Sequence, residues 1–209
     1  MRKPLIAGAA AAGATLLGAA AIYYFREKAT PGPDYRVLAS DGDFEIRGYP
    51  AITVAETVVR GERKTALNRG FELLADYIFA KSREGEALPM TVPVLQDGGD
   101  PMASDPPLFD DLVEGGWRVR FVMPEGRTAE DLPEPPGDVE LVELPPRRVG
   151  AVRFAGVAND DKLAEQEDLL RGWLGRQGEA SASEPEYAFY NSPMVPPPLR
   201  RSEVLIPLG

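Results

Sequence analysis

The chain has 209 residues, of which 44% are hydrophobic, and a formal net charge of −10. This length suits one medium-sized domain with a terminal extension, and the apolar share is that of a globular protein with a core. The negative charge repels phosphate backbones, so we expect no nucleic-acid partner. The sequence contains no histidine and no cysteine, which excludes Ser-His-Asp and Cys-His nucleophiles, the usual zinc sites and disulfides.

The first 28 residues predict a membrane anchor. An uncharged run extends from Pro4 to Phe25, and about 20 apolar residues suffice to cross a bilayer. Arg2 and Lys3 precede the run, which favours a single-pass protein with its folded domain outside the cytoplasm, in the periplasm if the source is bacterial. One alternative is a signal peptide cleaved near Ala19–Ala21, which would release a secreted domain. A buried soluble helix is less favoured, because the run has no polar face.

The rest of the chain divides into a linker and one domain. Residues 29–34 are rich in proline and glycine and predict a short linker. The folded domain is expected at 35–209. Within it, the acidic, aperiodic segment 97–116 predicts a long mobile loop.

The domain contains an internal repeat. The segments "DFEIRGYPAITVAETVVRG" and "DVELVELPPRRVGAVRFAG" each predict two short strands hinged at proline, with a glycine eleven residues after that proline. A helical pattern with apolar spacings of three and four follows each segment. Its members are Leu67, Gly70, Phe71, Leu74, Tyr77 and Ile78 in the first half, and Leu163, Leu170, Trp173 and Leu174 in the second. Two further strands complete each half.

Both halves therefore predict a strand-helix-strand-strand unit preceded by a short strand. Duplication of this unit predicts an α+β domain, in which about eight strands form one mostly antiparallel sheet with two helices packed on it. In "WRVRFV", Trp117, Val119 and Phe121 alternate with Arg118 and Arg120. This alternation is typical of a sheet with one buried face.

The stretch "LPMTVPVLQ", Leu88 to Gln96, alternates like a strand but contains two prolines. Proline has no amide hydrogen and is confined to sheet edges, strand starts and bulges. We therefore predict a strand at the margin of the sheet.

Five ordered segments, "GDFEIRGYP", "ALNRGFELLADYIF", "MTVPVL", "GWRVRFVMP" and "RRSEVLIPL", closely resemble the SOUL haem-binding protein family. The resemblance covers nearly all of residues 35–209. It implies a distorted antiparallel β-barrel of two pseudo-symmetric halves with two helices, similar to effector-binding domains of the GyrI type. The resemblance also implies that the domain binds haem or another tetrapyrrole in a hydrophobic surface cleft and that it does not catalyse a reaction. Because the chain lacks histidine, axial histidine ligation of the iron is impossible here.

The candidate cofactor-binding residues are apolar and basic. The apolar candidates, expected to line one cleft for a flat ligand, are Met90, Val92, Val94, Tyr190 and Met194. Soft, adaptable methionines suit such a surface. Arg200 and Arg201 are candidates to pair with haem propionates. The alternative is that the apolar residues belong to an ordinary core and that the arginines are solvated.

The sequence leaves three classes of function open. The favoured one is a membrane-anchored, non-enzymatic protein that binds haem or another tetrapyrrole without a histidine ligand. The second is an effector-binding or protein-interaction module of GyrI-like fold with a different ligand. An enzyme ranks last, because without histidine or cysteine it would need a carboxylate or lysine mechanism, and no spaced pair indicates one. The oligomeric state is not predicted.

Overall fold

The computed structural model describes residues 27–98 and 116–209. The predicted anchor at 1–28 therefore lies outside the described residues except for its last two, and so does the predicted loop at 97–116 except for its ends. Within the described ranges, no helix is long and apolar enough to cross a membrane.

The described residues form nine strands and two α-helices. In chain order these are β1 Arg36–Asp41, β2 Phe44–Tyr49, β3 Ile52–Val59, α1 Arg63–Ile78, β4 Val94–Gly98, β5 Trp117–Val122, β6 Glu140–Leu144, β7 Arg147–Ala155, α2 Asp160–Gln177, β8 Glu186–Phe189 and β9 Arg201–Leu208. The strands form one curled antiparallel sheet in the order β1-β2-β7-β9-β8-β4-β5-β3-β6. The predicted α+β fold, a distorted antiparallel β-barrel with two helices, is confirmed: the sheet is a curled half-barrel, and β1 is a ninth strand outside the repeat.

The order of the strands reflects the duplication. Apart from β1, the strands form two units of four, β2–β5 and β6–β9. From either end of the sheet towards its middle, the strands occur in the same order within the unit: first, second, fourth and third. A pseudo-two-fold axis therefore passes between β4 and β8, where Leu95 faces Ala188. The first strand of each unit lies in the other half, since β2 pairs with β7 and β6 pairs with β3.

The two helices begin at side-chain caps and pack on the same face of the sheet. Glu62 caps α1, and Asn159 caps α2, so that each satisfies an amide that the first helical turn leaves without a partner. Asp160 and Asp161 occupy the first turn of α2, where the helix dipole favours negative charge. The apolar residues predicted for the two helices are buried except Phe71, which is 43% exposed.

Close approach of the helices requires glycine at two places. A Cβ atom on Gly70 of α1 would lie 2.7 Å from the Val119 side chain on β5. A Cβ atom on Gly150 of β7 would lie 2.7 Å from the Leu174 side chain on α2. Larger residues at either position would push a helix away from the sheet.

The prediction of a sheet with only one buried face was wrong for β5. Arg120 is only 7% exposed, and the Arg118 side chain is only 13% exposed. Both lie on the concave face, opposite the helices, where carboxylates from neighbouring strands compensate their charge. An alternation of apolar and charged residues therefore marks two buried faces here, because a paired charge tolerates burial.

The prediction of an edge strand at Leu88–Gln96 was also wrong. β4 begins only at Val94 and lies inside the sheet, between β8 and β5. Pro89 and Pro93 precede it, in a segment that belongs to no strand, so the missing amide hydrogens cost no ladder bonds. The prolines mark the approach to an interior strand.

Candidate functional site

Two neighbouring depressions open beside residues 31–34. The first has a volume of about 300 Å³, and its lining includes Tyr35, Tyr49, Val92, Tyr190, Leu199 and Arg201. We call it the tyrosine depression. The second has a volume of about 390 Å³, and its lining includes Pro50, Ile52, Pro89, Thr91, Val122 and Met123. Gly32 and Pro33 line both depressions, so this segment is the wall between them.

The segment 27–34 is fixed to the domain by several contacts. The Val92 amide donates to the Pro31 carbonyl oxygen at 2.9 Å. A Cβ atom on Gly32 would lie 2.7 Å from the Val92 carbonyl oxygen, so the close approach requires glycine. The Glu27 carboxylate accepts from the Asn191 side-chain amide at 3.3 Å and from the Ser192 backbone amide at 3.2 Å. The predicted linker therefore forms one side of the tyrosine depression.

The structure distributes the predicted apolar site residues over different places. Val92 and Tyr190 line the tyrosine depression. Met90 and Val94 are partly buried and pack against the core beneath α1, on the helix face of the sheet. Met194 is 79% exposed and is outside the residues that line either depression.

The two predicted arginines also differ. Arg201 lines the tyrosine depression. Arg200 donates to the carbonyl oxygens of Val195 at 2.7 Å and Pro193 at 2.6 Å. Its contacts therefore stabilise the loop before β9. Three of the seven predicted residues thus meet in one depression: Val92, Tyr190 and Arg201.

A buried carboxylate lies below the tyrosine depression. Glu203 is fully buried, and the Arg47 guanidinium donates to both of its oxygens, at 2.7 and 3.1 Å. Arg201 and Arg153 donate at 2.7 and 3.3 Å, and the Tyr190 hydroxyl donates at 2.8 Å. We call these five residues the Glu203 cluster. Burial alone would raise the pKa of Glu203, but the hydrogen bonds and charge of Arg47, followed by those of Arg201, outweigh it and lower this pKa to about 2.

Aromatic rings and guanidinium groups alternate in the same region. The Arg201 guanidinium lies 3.9 Å from the centre of the Tyr190 ring, and the Arg47 guanidinium lies 4.4 Å from that of Tyr35. Such cation–π contacts add to the ion pairs. Burial raises the pKa of Tyr190 well above its usual value, and the charge of Glu203 adds to this effect. Tyr190 is therefore a neutral phenol whose hydroxyl donates a hydrogen bond to Glu203.

A second cluster of buried charges lies across the pseudo-two-fold axis. The Arg120 guanidinium donates to Glu56 at 2.9 Å, Asp97 at 2.7 Å and Glu186 at 3.3 Å. Arg147 also donates to Glu186, at 2.6 Å. We call these residues the Arg120 cluster. Burial raises the pKa of Asp97 to about 6, even though the charges of Arg120 and Arg118 oppose this shift.

Arg47, Tyr49 and Glu203 were missed as functional candidates. The available signal was a charged residue inside an otherwise apolar strand, as at Glu203 in "SEVLIPL". A buried charge requires a partner of opposite sign. The identity of that partner could not be read from the sequence, because Arg47 and Glu203 are separated by 156 residues.

Comparisons with known proteins agree with this architecture. A family model described as SOUL heme-binding protein matches residues 30–207. The C-terminal domain of EcmrR superposes with a TM-score of 0.58 at 12% identity, covering 84% of this chain and 98% of that chain. An uncharacterized conserved protein from Listeria innocua gives 0.58 at 13% identity, with 82% and 94% covered. A hydrolase from Listeria innocua gives 0.55 at 13% identity, with the same coverage. At these identities the likeness shows the fold alone, and no curated protein sequence matches the chain.

Proposed function

The chain belongs to the SOUL heme-binding protein family, and we propose on this premise that its domain binds haem or a related tetrapyrrole, without catalysis, in the tyrosine depression. The match over residues 30–207 is the observation that carries the proposal. The depression supports it by combining aromatic rings with the aliphatic side chains of Val92 and Leu199. Such a surface suits a flat, largely apolar molecule.

The donor atoms near the depression favour packing over iron ligation. Histidine and cysteine are absent from the sequence. The Tyr190 hydroxyl is held by Glu203, and its raised pKa disfavours the phenolate that would bind iron. Met194 lies outside the lining. We therefore propose that the ring is retained by contact with Tyr35, Val92 and Leu199. When bound, the tetrapyrrole itself supplies the absorbance and, in haem, the iron.

Basic side chains at the rim are suited to the acidic groups of a tetrapyrrole. Lys28 lines the depression and is exposed. Arg201 also lines it, but two of its nitrogens donate to Glu203, so its charge is already largely compensated. We propose that Lys28 makes the stronger ion pair with a propionate.

The expected affinity is moderate. A volume of about 300 Å³ is at the small end of ligand sites, so only part of the ring would be enclosed. Burial of about 300 Å² of porphyrin surface at roughly 25 cal/mol/Å² contributes about 7 kcal/mol before the cost of association. Micromolar binding is therefore reasonable without a bond to iron.

We also propose that residues 1–28 anchor the protein in a membrane, with the domain outside the cytoplasm. The support is the uncharged run from Pro4 to Phe25 and the basic residues before it. The full chain should remain with membranes after extraction at alkaline pH. A shortened mature protein in the soluble fraction would instead establish a cleaved signal peptide.

Titration of the full chain with haemin and with metal-free protoporphyrin IX tests the binding proposal. Without a protein–iron bond, the two dissociation constants should agree within about threefold. Val92→Ala, in the depression, should weaken both ligands severalfold. Val94→Ala is the matched control, because Val94 packs on the other face of the sheet. Haemin binding more than tenfold tighter than porphyrin binding would establish iron ligation, and insensitivity to Val92→Ala would exclude this depression.

A second candidate function is the binding of a different amphipathic effector at the same place. The small volume of the depression and the lack of histidine, cysteine and methionine in its lining favour this alternative. It predicts that neither haemin nor protoporphyrin IX saturates the protein. Stabilisation of the wild type, but not of Val92→Ala, by another amphipathic compound in thermal unfolding would support it.

A further inference from the structure

An apolar loop protrudes beside the tyrosine depression. Residues 193–199 read "PMVPPPL" and contain no charge. Met194 is 79% exposed and Leu199 is 50% exposed, and the three consecutive prolines are exposed as well. A contiguous apolar surface on a chain with a net charge of −10 marks a place of interaction. We call residues 193–199 the proline loop.

The proline loop is anchored from below. Val195 is 1% exposed, and Arg200 donates to the carbonyl oxygens of Val195 and Pro193. Its apolar side chains are thus presented by a fixed backbone. Four of its seven residues are prolines, which carry no amide hydrogen, so contact with lipid would leave few backbone donors without a partner.

The proline loop is next to the place where the chain would leave the bilayer. The predicted membrane-spanning run ends at Phe25, and Glu27 follows two residues later, a reach of at most about 7 Å. The Glu27 carboxylate accepts hydrogen bonds from Asn191 and Ser192, directly before the proline loop. An anchored chain therefore holds this loop at the height of the lipid headgroups.

We propose that the proline loop inserts into the outer surface of the bilayer, so that the tyrosine depression opens beside the membrane and receives a membrane-dissolved amphipathic ligand. Leu199 belongs to both the loop and the lining of the depression, which makes the path from lipid to site continuous. This inference rests on the proposed anchoring. It also narrows the ligand class to molecules that partition into lipid, as tetrapyrroles do.

The charge of the domain favours apolar insertion over electrostatic attraction. The chain as a whole has a net charge of −10, which anionic lipid headgroups repel. A neutral phosphatidylcholine surface is therefore the appropriate partner, and apolar side chains such as Met194 supply the contact.

The absence of cysteine from the sequence allows a direct test with single labels. The full chain, reconstituted in phosphatidylcholine vesicles, carries an environment-sensitive fluorophore at Met194→Cys or, in a second variant, Leu199→Cys. Leu169→Cys is the matched control, because Leu169 is 48% exposed and lies on α2, on the other face of the sheet. We expect nitroxide-labelled lipids to quench the two loop positions at least twofold more than position 169. Quenching of all three by aqueous iodide to the same extent would overturn the inference.

Flotation of the same vesicles distinguishes failure of membrane anchoring from failure of loop insertion. If the protein floats with the vesicles but the loop positions are as accessible to iodide as position 169, anchoring stands and loop insertion is excluded. If the protein does not float, both are excluded. The porphyrin titration in detergent solution depends on neither result, so tetrapyrrole binding is judged separately.

Discussion

The two halves of the sheet bury charges of opposite sign at equivalent places. Arg120 on β5 faces Leu95, and Glu203 on β9 faces Ala188, the two residues that meet at the pseudo-two-fold axis. On the other side, Arg120 faces Glu56 and Glu203 faces Arg153. The central residue and its cross-strand partner therefore each carry opposite charges in the two halves. The fold requires compensation of the charge at this place, and either sign can be accommodated.

The exchange in sign gives the halves different responses to acid. In the Arg120 cluster the hydrogen-bond partners of the central arginine are carboxylates, and burial raises the pKa of one of them, Asp97, to about 6. In the Glu203 cluster the ligands are arginines, which do not lose their charge, and the pKa of the central carboxylate is lowered to about 2. The cluster that borders the tyrosine depression is thus the one that keeps its charges over the physiological pH range.

Glu203→Gln is expected to have the largest effect on stability. It removes the fully buried carboxylate partner of the fully buried Arg47 and leaves, among the described residues, only the pair with Glu45, and breaking a buried ion pair costs about 3–5 kcal/mol. Urea unfolding of the full chain at pH 7 measures the loss. The control is Glu45→Gln, which removes an ion pair of Arg47 whose carboxylate side chain is 19% exposed and should cost about 1 kcal/mol or less. Equal losses in the two variants would contradict a central role for Glu203.

Arg120→Gln should cost somewhat less, about 2–3 kcal/mol, because Arg118 and Arg147 still neutralise part of the Arg120 cluster. Acid should relieve this loss, since protonation removes the repulsion between the remaining carboxylates. Unfolding at pH 7 and pH 5.5 should show the difference from wild type shrinking for Arg120→Gln and staying constant for Glu203→Gln. Parallel behaviour of the two variants would show that the sign of the central charge has no consequence for pH dependence.

Asp97→Asn should change the dependence of stability on pH. Burial raises the pKa of Asp97 from 3.8 to about 6, so between these values the native state holds a proton that the unfolded chain has released. The resulting stabilisation is complete below pH 3.8 and is lost as the pH rises through about 6. From pH 4 to pH 6 the loss is about 2 kcal/mol, and the variant should lack it.

Glu186→Gln is the matched control for Asp97→Asn. Burial alone would raise the pKa of Glu186, but the hydrogen bonds and charge of Arg147 outweigh it and lower this pKa. Glu186 thus contributes stability that is lost as the pH falls, and its removal should shift the pH profile in the opposite direction. Shifts in the same direction in both variants would contradict the assignment.

Tyr190→Phe should have the smallest effect, about 1.5 kcal/mol, because it removes one hydrogen bond to the Glu203 carboxylate and leaves the ring in place. Tyr49→Phe provides the comparison, since the Tyr49 hydroxyl accepts a longer bond of 3.3 Å from Arg47. Thermal unfolding of the two variants should rank Tyr190→Phe as the less stable. The reverse ranking would mean that the proton of Tyr190 contributes little to the Glu203 cluster.

The sequence was sufficient for the architecture because local patterns repeat. The spacing of Leu163, Leu170 and Trp173 predicts the helix that contains them. Each element predicted in one half of the domain has a counterpart in the other half, which strengthens both predictions. The prediction from proline failed at Leu88–Gln96. A proline shows that one backbone amide cannot pair within the sheet, but it does not show where the strand begins. Pro93 precedes Val94 by one residue, which was enough to convert an interior strand into a predicted edge.

The candidate site was only partly predictable because it depends on contacts between residues distant in the chain. Val92, Tyr190 and Arg201 were chosen from strand periodicity and motif, and they do line one depression. Met194 was chosen from its position in the repeat and as an adaptable apolar residue, but it is exposed and outside the depression. Arg200 was chosen as one of a basic pair near the C-terminal motif, but it donates to backbone carbonyl oxygens. The pairing of Arg47 with Glu203 comes from the sheet register, which no local pattern encodes.

The interlocked strand order has a consequence for the origin and assembly of such a domain. Because the first strand of each unit pairs with a strand of the other, a single unit would leave one of its own strands without a neighbour. Two separate copies could satisfy each other by trading first strands, as in a domain-swapped homodimer. The present chain is the covalent equivalent of that dimer. Co-expressed fragments divided between β5 and β6 should reassemble, whereas neither fragment alone has a complete sheet.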